Sequence, residues 1–196
     1  MSYVITISRQ FGSMGRSIAQ ELSKELDIEF LDRDIVEETS KRMGLPISVI
    51  SDEEEAHKTK FFRRAYPLGI SIPSIKDEIF EVQKNIIRDF ASKESCIIVG
   101  RCAEYVLSDF ENKLSVFIYA SPEKRLENCI TKLEMEEKNA RRMMKEVDLA
   151  RENYHKTYIP NYVDAFYGKD ICIDSGSFGI EGTSQLISDI VRKKFL

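Results

Sequence analysis

The 196-residue sequence has no apolar run approaching the roughly 20 residues that a membrane-spanning helix needs, and its N-terminus lacks the basic-then-apolar pattern of a secretory leader. Neither membrane insertion nor export is expected, and the reading is a cytoplasmic protein. Positive charge is not in excess either, since the formal net charge is -4. That excludes a general nucleic-acid coat, which must neutralise many phosphates with Lys and Arg, so any basic site has to be local. Close Cys-Cys or Cys-His pairs are missing. The four cysteines, Cys96, Cys102, Cys129 and Cys172, are scattered, which speaks against a zinc site and for reduced thiols. Cys96 and Cys172 lie inside apolar strand-like runs and read as small buried hydrophobes. His57 and His155 are the two histidines. Neither has a second metal ligand beside it, and both are expected at the surface. Internal repeats and low-complexity tracts are absent as well.

What is present is an ordinary globular composition, 42% hydrophobic and 32% charged, in a chain long enough for one substantial core. Tyr3 to Ser8 reads as a strand, and Ile18, Ala19, Leu22 and Leu26 repeat at helical spacing on a segment starting near Ser17. Glu29 to Leu31 is a second strand, followed by a helix that Gly44 closes. From Leu45 to about Ile75 the pattern is lost, punctuated by Pro46, Pro67 and Pro73 and by the acidic run 52–55. Helical spacing returns with Ile79, Val82, Ile86, Ile87 and Phe90, then the apolar strand Cys96 to Val99 ends in Gly100-Arg101. A short helix (Ala103 to Leu107), a strand (Leu114 to Ala120) and a helix opened by Ser121-Pro122-Glu123 follow. A long charged helical stretch from Glu136 to about Tyr158 leads to a strand at Asp170 to Asp174 and a closing helix through Ile180, Leu186, Ile187, Ile190 and Val191. Alternation of this kind predicts a parallel sheet with helices on both faces and ligands at the carboxyl ends of the strands.

Between the first strand and first helix lies Phe11-Gly12-Ser13-Met14-Gly15-Arg16-Ser17. Small residues let successive backbone N–H groups converge on an anion, and the helix N-terminus adds positive potential. The common phosphate-loop pattern ends Gly-Lys-Ser/Thr, whereas this loop ends Gly15-Arg16-Ser17 and has Gln10 where the pattern's first glycine belongs. The loop taken alone is equally compatible with a tight strand-to-helix turn.

With its flanks, Ile7 to Ala19 resembles the opening of the cytidylate kinase-like family, which typically carries an aromatic-Gly-Ser-Gly-Gly-Arg-x-Ile-Ala loop. Four later segments, in order, are similar too: Phe30-Leu31-Asp32-Arg33-Asp34-Ile35, Ile97-Ile98-Val99-Gly100-Arg101, Asp148 through Lys156, and Cys172-Ile173-Asp174-Ser175 through Gly179-Ile180-Glu181-Gly182. The resemblance implies an α/β P-loop NTPase fold, a parallel β-sheet flanked by helices, with an acceptor-binding insertion and a helical lid. The chain then divides into a core of about 1–44, 76–125 and 166–196, an insertion of about 45–75 and a lid-like region of about 126–165, all within one domain. It implies transfer of the γ-phosphoryl of ATP to a nucleoside monophosphate such as CMP or dCMP, with Mg²⁺ as cofactor and small-molecule nucleotides as partners. The same fold could serve another small metabolite, or a nucleotide sensor without turnover.

Roles follow position by position. Gly12, Ser13, Met14, Gly15, Arg16 and Ser17 would hold the ATP phosphates, with Ser17 on Mg²⁺. Asp32 could serve the acceptor or Mg²⁺, directly or through water, whereas Asp34 is read mainly as the cap of its helix. Arg101 leaves a buried strand after a glycine and would grip the acceptor, although an Arg at a strand end can also be merely solvated. Arg142 and Arg151, with Arg141 next, are the candidates to close over the transferring group, while the plainer reading of their helix is a solvated face laced with pairs such as Glu137-Arg141. Met14 stands where the family usually has glycine, Arg16 where the common pattern has Lys, and Val99 and Cys102 where cytidylate kinases proper tend to carry Asp.

Overall fold

The computed structural model describes residues 2–50 and 75–196. The expected acceptor insertion, with Pro67, Pro73, the acidic run and His57, therefore falls outside the described residues except at its two ends.

Five parallel strands form one sheet in the order β2-β3-β1-β4-β5. They are β1 (Val4–Arg9), β2 (Glu29–Leu31), β3 (Cys96–Val99), β4 (Lys113–Tyr119) and β5 (Ile171–Asp174). The helices are α1 (Gly15–Leu26), α2 (Arg33–Met43), α3 (Ile75–Lys93), α4 (Ala103–Val106), α5 (Pro122–Thr131), α6 (Glu137–Tyr158) and α7 (Ser175–Phe195). The chain leaves β1 towards β2 and crosses over it between β3 and β4, so the carboxyl end of β1 lies at the switch point of the sheet, where α/β folds bind ligands.

Side chains of a strand alternate between faces, and here both faces are covered. Ile5, Ile7, Ile97, Val99, Val116 and Ile118 pack with Ile18 and Leu22 of α1 and Ile187 and Val191 of α7. Val4, Cys96 and Ile98 pack on the other face with Ile86 and Ile87 of α3 and Cys102 and Leu107. Burial on two faces is why these strands read as continuous apolar runs. The end of α6 joins the second layer: Phe80 stacks on Tyr158 at 4.0 Å, and Tyr154 meets the same cluster edge-on. The charged stretch within the lid-like region is thus one unbroken helix, Glu137–Tyr158, with its second half packed on the core.

Three local expectations change. The first helix begins at Gly15 rather than Ser17, because Met14 already takes the capping position. Cys96 is buried as read, and burial pushes its thiol up to about 12. Cys172 is exposed. It sits on the edge strand β5, where the face it shares with Phe117 is covered by the ring of Phe166 from a preceding turn and not by a helix. The closing helix bends at Gly179, whose φ of 70° and ψ of -172° interrupt it just before the apolar stripe from Ile180. Among the described residues no helix is long and apolar enough to cross a membrane.

Candidate active site

Between β1 and α1 the backbone turns through two left-handed residues, Gly12 at φ 79° and Met14 at φ 60°. Gly12 has no substitute: a Cβ there would lie 2.8 Å from the Arg125 carbonyl and 2.9 Å from Cys129 Sγ. Met14 adopts the same region with a side chain, at a cost of roughly 1–2 kcal/mol. Met14→Gly should therefore raise stability by about 1 kcal/mol, after the larger entropy loss of glycine is discounted. For a chain of this size that appears as a rise of about 2–4 °C in the thermal unfolding midpoint.

The loop's carbonyls are turned outward and tied down. Asn128 Nδ2 donates to the Gly12 carbonyl (2.9 Å), Arg125 Nη1 to that of Phe11 (3.2 Å) and Arg151 Nη1 to that of Arg9 (3.0 Å). Ser175 Oγ donates to the Ser13 carbonyl at 2.7 Å. The Ser13 hydroxyl, fully buried, bonds the carbonyls of Gln10 (2.9 Å) and Ile118 (3.2 Å). The first intrahelical bond of α1 runs from Ile18 N–H to the Met14 carbonyl, so the amides of residues 14 to 17 precede the helix's own ladder. Carbonyls outward and amides at a helix N-terminus form a cradle for an anion. Its residues fit a nucleotide polyphosphate, and Ser17, half-buried in the first turn of α1, is the hydroxyl that could hold Mg²⁺.

The brace of that cradle is Asp148 on α6. Its carboxylate accepts the Phe11 N–H at 2.7 Å and pairs with Arg125, whose side chain is 11% exposed. Arg151 lies at 4.0 Å from the same carboxylate. Two helices far along the chain thus hold the loop in shape. Asp148 stood inside a segment that resembles the family, but Arg125 and Asn128 carried no sequence signal, since an Arg and an Asn on an amphipathic helix usually face water.

At the mouth of the loop, Arg16 Nε meets one oxygen of Asp32 at 3.0 Å and Arg101 Nη1 meets the other at 3.2 Å. Asp32 occupies the capping position of α2 without capping it, because its carboxylate serves the two arginines. Asp34 is not the cap either. It sits exposed in the first turn, so the capping role read for it is not borne out. Gly100, Arg101 and Cys102 all have positive φ (83°, 57° and 53°), and this left-handed turn aims the Arg101 guanidinium at Asp32 and at the Val99 carbonyl, 3.1 Å away. Both oxygens of Asp32 being engaged by guanidinium groups, it fits Mg²⁺ through water better than as a direct ligand, and among the described residues no cluster of acidic, His or Cys side chains could hold a metal ion.

Arg142 is not brought to this place. On the unbroken helix α6, Arg151 lies nine positions on, which at about 3.6 residues per turn puts the two on opposite faces, and Arg142 is exposed. Arg141 pairs with Glu137 at 2.7 Å, the surface pair that the charge pattern suggested.

His155 departs from expectation. Only 12% of its side chain is exposed: Nδ1 faces the Arg151 carbonyl at 2.7 Å and Nε2 lies 3.3 Å from Glu104. Glu104 also pairs with the buried Lys169. Burial by itself would raise the Glu104 carboxyl, but the hydrogen bond from His155 and the charge of Lys169 outweigh it and hold the group at about 2 against an ordinary 4.5. A depressed carboxyl stabilises the fold fully above about pH 4.5 and loses that contribution as the pH falls towards 2. Glu104→Gln should remove this acid limb from stability measured by chemical denaturation, and should lower stability at neutral pH because Lys169 is left buried without its carboxylate.

Comparison with known proteins agrees with this geometry. Residues 4–177 match the model of the cytidylate kinase-like family. A crystal structure of an uncharacterized protein from Eubacterium ventriosum is 27% identical, with a TM-score of 0.72, over 97% of this chain and 99% of that one. Shikimate kinase from Bacteroides thetaiotaomicron (11% identity, TM-score 0.56, 97% and 98% covered) and deoxyadenosine kinase from M. mycoides (12%, 0.53, 97% and 99%) share the fold. No curated protein matches the chain. A braced phosphate loop at the switch point of a five-stranded parallel sheet, with the family's segments in order around it, has the P-loop NTPase fold, and the chain belongs to the cytidylate kinase-like family.

Proposed function

We propose that the protein is a P-loop phosphotransferase that moves the γ-phosphoryl of Mg-ATP to a nucleoside monophosphate, CMP or dCMP. The observation that carries the proposal is Asp32, whose carboxylate joins Arg16 on the loop helix to Arg101 on the far side of the crevice. A donor-side and an acceptor-side guanidinium thereby stand a carboxylate's width apart at the mouth of an anion cradle, the arrangement that phosphoryl transfer needs.

In this reading the amides of residues 14 to 17 and Arg16 hold the donor phosphates, Ser17 holds Mg²⁺, and Arg101 takes the acceptor phosphate. Incoming phosphates compete with Asp32 for both guanidinium groups, and Asp32 can then turn to the acceptor sugar or to a metal-bound water. Arg151, through the Arg9 carbonyl, keeps the loop in place and in this reading is the arginine that spreads charge on the transferring group. Mg²⁺, when bound, would neutralise charge developing on the phosphates. Arg142 is left without a part.

The test is ADP formation with ATP, Mg²⁺ and a panel of acceptors. Turnover with CMP or dCMP is expected. Turnover with neither, but with another metabolite, moves the protein to a different acceptor, and ATP binding without ADP formation from any acceptor makes it a sensor. Transfer at the donor site is independent of where the protein resides, for which a cytoplasmic location is proposed.

A further inference from the structure

One arginine at the mouth of the loop has no role in that scheme. Arg9 is the last residue of β1, the central strand, paired in register with Ile118 of β4. Its carbonyl is held by Arg151, and its side chain runs from beside Gly15 at the start of α1 to Gly100. Two glycines clear its path. At Gly15 a Cβ would lie 2.7 Å from Arg9 Cβ and 2.9 Å from its Cγ, closer than real side chains approach. Gly15 has no left-handed φ, so the backbone does not require glycine there; the stem of Arg9 does. At the far end, a Cβ on Gly100 would come 2.5 Å from Arg9 Nη1. The guanidinium therefore lies against the turn that presents Arg101, on the acceptor side and not over the donor loop.

We propose that Arg9 is a second binding residue for the acceptor's anionic group, acting with Arg101 as a two-arginine clamp. The inference rests on the phosphotransferase reading and narrows it. A pair of guanidinium groups at the carboxyl ends of β1 and β3 selects a phosphate monoester over a neutral hydroxyl compound, because each fork can take two oxygens of the same dianion. The Arg9 stem explains why Gly15 cannot take even alanine without displacing it, whereas at Gly100 the left-handed φ already calls for glycine. Arg9 contributes affinity and acceptor choice, and the chemistry at the donor phosphate lies elsewhere.

The experiment follows the arginine Nε–Hε signals of ¹⁵N-labelled protein saturated with ADP while inorganic phosphate, and separately CMP, is added. Phosphate should shift the Arg9 and Arg101 signals together with one saturation curve. Arg9→Ala should weaken phosphate about tenfold or more while leaving ADP affinity within about twofold. Arg9→Lys keeps the stem over Gly15 and the charge but not the fork; it should retain the wild-type unfolding midpoint and still bind phosphate more weakly. A shift at Arg101 alone, a shift at neither residue, or unaltered phosphate affinity in Arg9→Lys and Arg9→Ala overturns the assignment. Phosphate shifting both signals while CMP shifts neither keeps Arg9 in the clamp and removes CMP as the acceptor.

Discussion

Arg16→Ala is expected to cut ADP formation by about 10²–10³-fold or more, the range seen when a pre-placed donor to developing charge is removed. The fold should barely notice. Arg16 is 44% exposed on its side chain, and its ion pair with Asp32, partly open to solvent on the Arg16 side, is of a kind that contributes about 0–1 kcal/mol. Asp32 keeps Arg101 when Arg16 is gone. Unchanged thermal unfolding without ligand, together with lost turnover and weakened ATP binding, is the signature of a residue that serves the phosphates. Arg16→Lys should recover only part of the activity, since an ammonium supplies a point charge where the guanidinium offers a planar fork. If Arg16→Ala turns over at the wild-type rate, the loop is not the donor site.

Asp148→Ala should be costly for both stability and binding. The carboxylate is the acceptor for the Phe11 amide and the counter-charge of Arg125, whose Nε is already buried without an acceptor among the described residues. Stripping the partner from a guanidinium this buried costs about 3 kcal/mol. The same change frees Phe11 and loosens the carbonyls that Arg125 and Arg151 hold, so nucleotide affinity should fall along with the unfolding midpoint. Asp148→Asn separates the two effects. Its amide oxygen can still accept from Phe11, so the loop stays pinned while the charge on Arg125 goes uncompensated. Denaturant unfolding and ADP titration of both variants distinguish the outcomes. Wild-type ADP affinity in Asp148→Ala would show that α6 does not shape the cradle.

The contrast between these two residues shows where sequence reading stops. Arg16 is legible because it is local: it lies one residue past Gly15 at a strand-to-helix junction, and short-range backbone rules alone bring it to an anion. The strands β1 and β3 are legible for a related reason, since burial on both faces writes an uninterrupted apolar run into the chain. Asp148, Arg125 and Asn128 act on the loop across 114 to 137 positions of sequence. No periodicity records a contact of that kind. Each of them looks like one more polar residue on a charged helix.

His155 and Cys172 erred in opposite directions for one reason. Exposure depends on what the rest of the chain lays over a position, and a polar residue in a charged helix can be covered while an apolar run on an edge strand is left open. Asp34 and Asp32 differ more finely: both can cap, and the choice was made by Arg16 and Arg101 arriving on the same side as Asp32. The sequence by itself determined the alternation of strands and helices, the loop between β1 and α1, and Arg16 as its cation, because backbone geometry and hydrophobic spacing are properties of neighbours along the chain. Only the tertiary structure decided which side chains brace that loop, that Asp32 would join two arginines across the crevice, and that Arg9 would thread past Gly15 to Gly100, because those depend on distances between segments that folding alone brings together.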